Sequence, residues 1–147
     1  MPTRSKLIFN TITTVGLYDG SVAIFNILKS TTSPIYRCAS NIKHTDPVWA
    51  IRWQNVDEEG VFQVHLCSVS SDGNVKLWTV VKNEMEAKDI LVLYDKTLEK
   101  DNTEQNSPPK ACGTCIEFHP LNSYLFLVGT EEGKIYKCST SYSSQVI

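Results

Sequence analysis

Three times along this chain, a run of alternating apolar residues stops at an acidic residue followed by Gly and resumes as a second run. The three are Val15–Phe25 with Asp19-Gly20 at its centre, Ser68–Trp78 around Asp72-Gly73, and Leu127–Cys138 around Glu132-Gly133. An Asp-Gly between β-type runs is a strong hairpin signal, because the tight turn needs a positive φ that Gly adopts without steric cost. From Asp19 to Asp72 is 53 residues and from Asp72 to Glu132 is 60, so the hairpins form an internal repeat. A repeat of that length with several strands per unit predicts β-propeller blades. Copied rigid units of this kind move the expected function from a pocket to a surface.

The 147 residues make one ordinary domain, and 41% hydrophobic against 20% charged residues is a globular composition. Fourteen basic and sixteen acidic side chains leave a formal charge of −2 with no block of like charge. No nucleic-acid arm or polybasic membrane segment is therefore expected. No apolar stretch approaches the roughly 18 residues of a spanning helix. The N-terminal ten residues hold only three consecutive apolar ones (Leu7-Ile8-Phe9), too short for a signal-peptide core. The five cysteines are an odd, scattered set lying mostly in apolar runs. They are read as buried thiols in a reducing compartment, and the chain as intracellular.

Residues 1–11 are an unassigned N-terminal segment, although Leu7-Ile8-Phe9 can lengthen the incoming strand of the first unit. That unit, residues 12–40, pairs Ile12–Leu17 with Ser21–Leu28 and adds an outer strand at Ile35–Ala39. The second unit, 44–94, is the fullest. Its first strand, Pro47–Trp53, puts Val48, Ala50 and Arg52 on one face and Trp49, Ile51 and Trp53 on the other. A polar loop is predicted at Asn55–Gly60, with strands at Val61–Ser70, Val75–Val81 and Glu86–Tyr94, although Glu84–Lys88 suits a helix equally well. Residues 95–110 are charged, polar and Pro-terminated, and are read as a mobile loop. The third unit, 111–147, has strands at Cys112–Phe118, Tyr124–Gly129 and Lys134–Cys138, with a turn at His119–Asn122 and a fourth strand starting near the end.

Ser68, His44 and Asp72 supply the residue types of a hydrolytic set, so a small hydrolase is one class to weigh. Their positions favour a structural role. Asp72 opens a turn, Ser68 sits on the strand before it, Trp78 ends the strand after it, and His44 precedes the unit. In a four-stranded blade they converge on a buried network from indole N–H through hydroxyl and imidazole to carboxylate. No Gly-x-Ser-x-Gly sequence is present. Cys112-Gly113-Thr114-Cys115 has a metal or redox spacing, but zinc needs two further ligands and residues three apart on a strand face opposite ways. The pair is read as core-packing. His119 is placed in a turn, and His65 in mid-strand as a satisfied or half-exposed residue. Trp49 and Trp53 lie i and i+4 on one strand face, and burial between blades is expected of them over service as a peptide platform. Phosphate-binding Gly loops are missing. No catalytic residue, cofactor, metal site or small-molecule substrate is expected.

From Lys43-His44 through Val48, Trp53, Ser68 and Ser71-Asp72-Gly73 to Val75-Lys76-Leu77-Trp78, the chain resembles one WD repeat, with Lys-His for the usual Gly-His and Trp78-Thr79 for the usual Trp-Asp. The resemblance implies a structural tetrad of His44, Ser68, Asp72 and Trp78. The other units depart from it, with Phe25 and Cys138 at the Trp position and Glu132 for the turn Asp. Val15–Asn26, Lys43–Trp49 and Phe126–Ser139, continuing through Ser141–Gln145, are similar to the WD-repeat region of dynein intermediate chains, the axonemal outer-arm branch (intermediate chain 1) most of all. That likeness covers residues 12–147.

The expected fold is thus all-β: part of a WD-repeat propeller with about three four-stranded antiparallel blades, too few to close a ring. The resemblance implies a non-catalytic scaffold subunit of an axonemal dynein, binding the dynein heavy chain and working beside other dynein intermediate chains. Association with microtubules would come through the complex, in the cytoplasm, the cytoskeleton and the axoneme of a cilium or flagellum, where it would support movement. The alternative is a WD-repeat adaptor of another intracellular assembly. Neither implies contact with nucleic acid or membrane.

Overall fold

The computed structural model describes residues 11–29, 32–58, 61–95, 108–140 and 144–146. Among them the regular structure is all strand, in three antiparallel sheets that do not close on one another. The first sheet holds β1 (Ile12–Gly16), β2 (Val22–Asn26) and β3 (Tyr36–Arg37). The second holds β4 (Val48–Glu58), β5 (Val61–Ser70), β6 (Asn74–Val81) and β7 (Glu84–Val92). The third holds β8 (Gly113–His119), β9 (Asn122–Thr130), β10 (Ile135–Ser139) and β11 (Ser144–Val146). Within each sheet, neighbours in sequence are neighbours in space, which is the meander of a propeller blade. The first blade has three described strands, not the expected four. Leu7-Ile8-Phe9 lie outside the described residues.

The three acidic-Gly turns are copies in geometry as well as sequence. Gly20, Gly73 and Gly133 donate their N–H to the carbonyls of Leu17, Ser70 and Thr130 at 3.1, 3.2 and 3.0 Å, with φ of +84°, +76° and +78°. Only the Gly of each turn is left-handed, so the turn is a right-handed pair closed by a left-handed Gly. A second kind of hairpin turn contains no Gly. Lys82 and Asn83 both take positive φ, 48° and 67°, and return the chain from β6 into β7. That turn puts Glu84–Lys88 in a strand, which rules out the helical option.

Two further expectations fail for identifiable reasons. The polar run at Asn55–Glu58 continues β4, paired residue for residue with β5 from Asn55↔Val64 to Glu58↔Val61, so no six-residue loop forms. The pairing register also slips between Val48 and Ala50, leaving Trp49 as an extra residue, and slips again between Gly113 and Cys115 at Thr114. A bulge of this kind turns the residues before it onto the other face. Val48 therefore packs with Ile51 and Trp53 towards the first blade while Ala50 faces the third. Trp49 is left 56% exposed, donating its indole N–H to Ser71 Oγ at 2.6 Å, so it does not share the half-buried place of Trp53.

Two apolar seams join the blades. Val22 and Ile24 of the first meet Val48, Leu66, Trp78 and Met85 of the second. Cys67, Val69 and Val75 of the second meet Ile116, Phe126 and Tyr136 of the third. Full burial of a Leu- or Phe-sized side chain is worth about 1.5–3 kcal/mol, so these seams dominate the stability. Of the segment read as a mobile loop, residues 96–107 lie outside the described residues. Its ends are anchored: Asp95 N–H donates to Pro109 O at 2.8 Å and Tyr94 bridges Lys110.

Candidate functional site: a buried Trp–Ser–His–Asp network

In the second blade the chain brings together the four residues singled out from the sequence. Trp78 Nε1 donates to Ser68 Oγ at 2.7 Å, and Ser68 Oγ lies 2.7 Å from His44 Nε2. His44 Nδ1 lies 2.9 Å from Asp72 Oδ2. The donors order themselves. A carboxylate only accepts, so Nδ1 carries the imidazole proton, Nε2 accepts the Ser68 hydroxyl proton, and Ser68 Oγ accepts the indole N–H. Each element supplies one member: the segment before β4 brings His44, β5 Ser68, the β5–β6 turn Asp72, and β6 Trp78. Trp78 lies over His44 with ring centroids 6.2 Å apart.

Asp72 also accepts the Thr45 N–H at 3.1 Å and the Asn74 N–H at 2.8 Å. Burial pushes its carboxyl pKa upward, but the His44 ring and these two backbone donors more than offset that, holding it below the ordinary value of 3.8. Asp72 thus ties its own turn to the segment entering the blade, and the network clamps four stretches of chain together.

The other turn acids do less. Asp19 Oδ1 accepts the Ser21 hydroxyl at 2.5 Å and the Ser21 N–H at 3.0 Å, which lowers its pKa. Its turn reaches the segment entering the second blade through His44 N–H, which donates to Gly20 O at 3.0 Å, and through the Lys43 ammonium, which donates to Asp19 O. Glu132, one methylene longer than Asp72, accepts the Cys112 N–H at 3.2 Å. At the Trp position Phe25 is half-buried and Cys138 fully buried. The third blade carries a different polar tie, an ion pair of Lys134 with the buried Asp95. That pair was not legible, because Asp95 opens a charged run in which it looks like any solvated acid.

The same order of bonds, Ser to His to Asp, occurs in hydrolytic triads. Here His44 and Ser68 are 0% exposed, and Ser68 Oγ is held by both the indole and the imidazole, leaving no surface from which a substrate carbonyl reaches it. Cysteine chemistry is equally restrained, because burial pushes the Cys67 and Cys138 thiols up to about 12. The CxxC pair is not in the core as expected. Cys112 is half-buried with its thiol on Ser71 O, and Cys115 is exposed beyond the Thr114 bulge, over Gly129. His119 Nδ1 accepts the Leu121 and Asn122 N–H groups at 3.1 Å, as a turn residue does, and His65 lies half-buried on β5. No cluster of three metal-ligating side chains occurs among the described residues.

A meander of blades with a Trp–Ser–His–Asp tie defines a WD-repeat β-propeller segment, here three blades in an open arc. Its curated relatives are axonemal dynein intermediate chains. The chain is 46% identical over 135 residues to the sea urchin (Heliocidaris crassispina) "Dynein intermediate chain 2, ciliary", covering 90% of this chain and 19% of that protein. It is 48% identical, over the same shares, to mouse (Mus musculus) "Dynein axonemal intermediate chain 1". It is 37% identical over 146 residues to the "Dynein, 78 kDa intermediate chain, flagellar outer arm" of Chlamydomonas reinhardtii, covering 95% of this chain and 21% of that one. The chain thus spans about a fifth of the length of these relatives. No family model matches it. Among solved structures the arrangement recurs in the computationally designed Ika4 protein, with a TM-score of 0.55 and 16% identity over 93% of this chain and 65% of that one. It recurs also in a chain of the mitotic checkpoint complex, with a TM-score of 0.56 and 15% identity over 92% of this chain and 35% of that one. At such identities these two speak for the fold alone.

Proposed function

We propose that this chain is a non-catalytic scaffold in an axonemal dynein motor complex, binding the dynein heavy chain through its propeller blades and so supporting ciliary or flagellar movement. The observation that carries the reading is the 46% identity to a ciliary dynein intermediate chain along 90% of the chain. The geometry supports it: the Ser–His–Asp arrangement is enclosed and braces a blade, while turns and strand faces are presented outward. The expected location is the axoneme, with other dynein intermediate chains as neighbours in the complex and microtubules reached through it. Immobilised chain incubated with a detergent-and-salt extract of axonemes should retain dynein heavy chain, identified by mass spectrometry against a blank resin. Retention of a different intracellular assembly without heavy chain would favour the adaptor reading instead.

A further inference from the structure

We propose that the turn side of the second and third blades carries a docking site for an arginine side chain of a partner protein, its guanidinium stacked on the Trp49 ring and facing the carboxylates of Asp46, Glu131 and Glu132. The site is defined by its own chemistry, whether or not the partner is a dynein heavy chain, and a short peptide tests it apart from that reading. It lies between two blades that are neighbours along the chain, apart from the outer faces of the first and third.

Trp49 stands where the pairing of β4 with β5 slips, and the bulge leaves its ring 56% exposed. Bulges re-aim side chains in this way. The ring is held in place, because its indole N–H donates to Ser71 Oγ at 2.6 Å. An exposed indole whose N–H is already bonded within the chain has its π face left to offer. Ser71 belongs to the Asp72-Gly73 turn, and its N–H donates to Pro47 O at 3.3 Å. The Cys112 thiol, from the segment entering the third blade, rests on the Ser71 carbonyl at 3.4 Å. Trp49 and Cys112 thus meet through one residue, on backbone fixed from both blades.

Three acids lie around Cys112. Glu132 accepts its N–H at 3.2 Å, and Glu131 N–H donates to Cys112 O at 2.9 Å. Asp46 is fastened from the other side, its carbonyl accepting the Ser70 hydroxyl at 2.9 Å. All three acids are exposed. Burial, and then the charges of Glu132, Glu131 and Asp46, push the Cys112 thiol above its ordinary 9.0, so the three carboxylates act on one spot. Lys43 and Lys110 flank these segments, but their ammoniums are turned to Asp19 O and to Asn74 Oδ1, the latter at 3.1 Å. Such a patch repels phosphates and attracts cations. Trp is the ring that binds a cation best. A guanidinium, planar and weakly hydrated, both stacks on an indole and forks to carboxylates, which an ammonium does not.

Nuclear magnetic resonance of the isotope-labelled 147-residue chain tests this, since its three tryptophans give three indole N–H signals. The Trp49 signal is the one absent from Trp49→Phe, and the other two report that each variant is folded. A blocked Gly-Arg-Gly-Arg-Gly peptide, titrated to about 10 mM so that a millimolar Kd is measured, should move the Trp49 signal and leave that of Trp78 in place. The lysine version should bind more weakly and the glutamate version not at all. Binding to Trp49→Ala, followed at the backbone N–H groups of Ser71 and Cys112, should be weaker by about tenfold. Glu131→Gln combined with Glu132→Gln, which keeps an acceptor for Cys112, should weaken it by about two- to fivefold, and carries the test should Trp49→Ala unfold. An arginine peptide that leaves the Trp49 signal still, a lysine or glutamate peptide that binds as well, or undiminished binding to either folded variant would overturn the site.

Discussion

At the scale of single residues, Ser68 is the centre of the buried network, its oxygen accepting the indole N–H of Trp78 and its hydroxyl donating to His44. Ser68→Ala strands two buried groups at once, and each unsatisfied buried group costs about 1–3 kcal/mol. Urea unfolding should therefore show a loss in or above that range, with no change in any hydrolytic rate. Asp72 gives the same network a pH signature. Its folded pKa lies below 3.8, so on acidification the unfolded chain takes up the proton first. The contribution is complete above about pH 4 and is lost as pH falls from the unfolded value through the folded one. The urea midpoint of the native chain should fall across that window more steeply than that of Asp72→Asn.

At the scale of elements, the three turns share one backbone shape but differ in their surroundings. A Cβ on Gly20 would lie 2.1 Å from the His44 carbonyl oxygen, and one on Gly73 2.8 Å from Lys110 Cβ, while one on Gly133 meets nothing within 4 Å. Gly133→Ala should cost only the left-handed backbone strain, about 1–2 kcal/mol. Gly73→Ala should cost more, and Gly20→Ala most, because backbone must move. Thermal melts of the three variants check the order. Turns of this kind were legible because Asp-Gly and Glu-Gly mark them locally. The Lys82-Asn83 turn was not, because Asn83 tolerates a left-handed conformation but Lys82 does not signal one, and Glu84–Lys88 carries good helix formers. Pairing with β6 overrode that propensity. The faces of β4 were misassigned for a similar reason. Alternation from Val48 to Trp53 is read correctly only once the Trp49 bulge is known, and a bulge is set by the partner strand.

At the scale of the whole molecule, the blade count and meander order could be read from the repeat, and the four network residues from one unit. What stayed hidden was long-range: the Asp95–Lys134 pair joins residues 39 apart, and Arg52 reaches Glu117 of the next blade at 3.0 Å. Contacts of that separation leave no local pattern. The blades make a braced platform whose chemistry is enclosed, and its proposed work is to hold a motor's heavy chain. Titration of the purified N-terminal tail of an axonemal dynein heavy chain onto the 147-residue chain, followed by calorimetry, tests this most directly. Saturable binding of defined stoichiometry is expected, and heats no different from buffer dilution would contradict a heavy-chain scaffold.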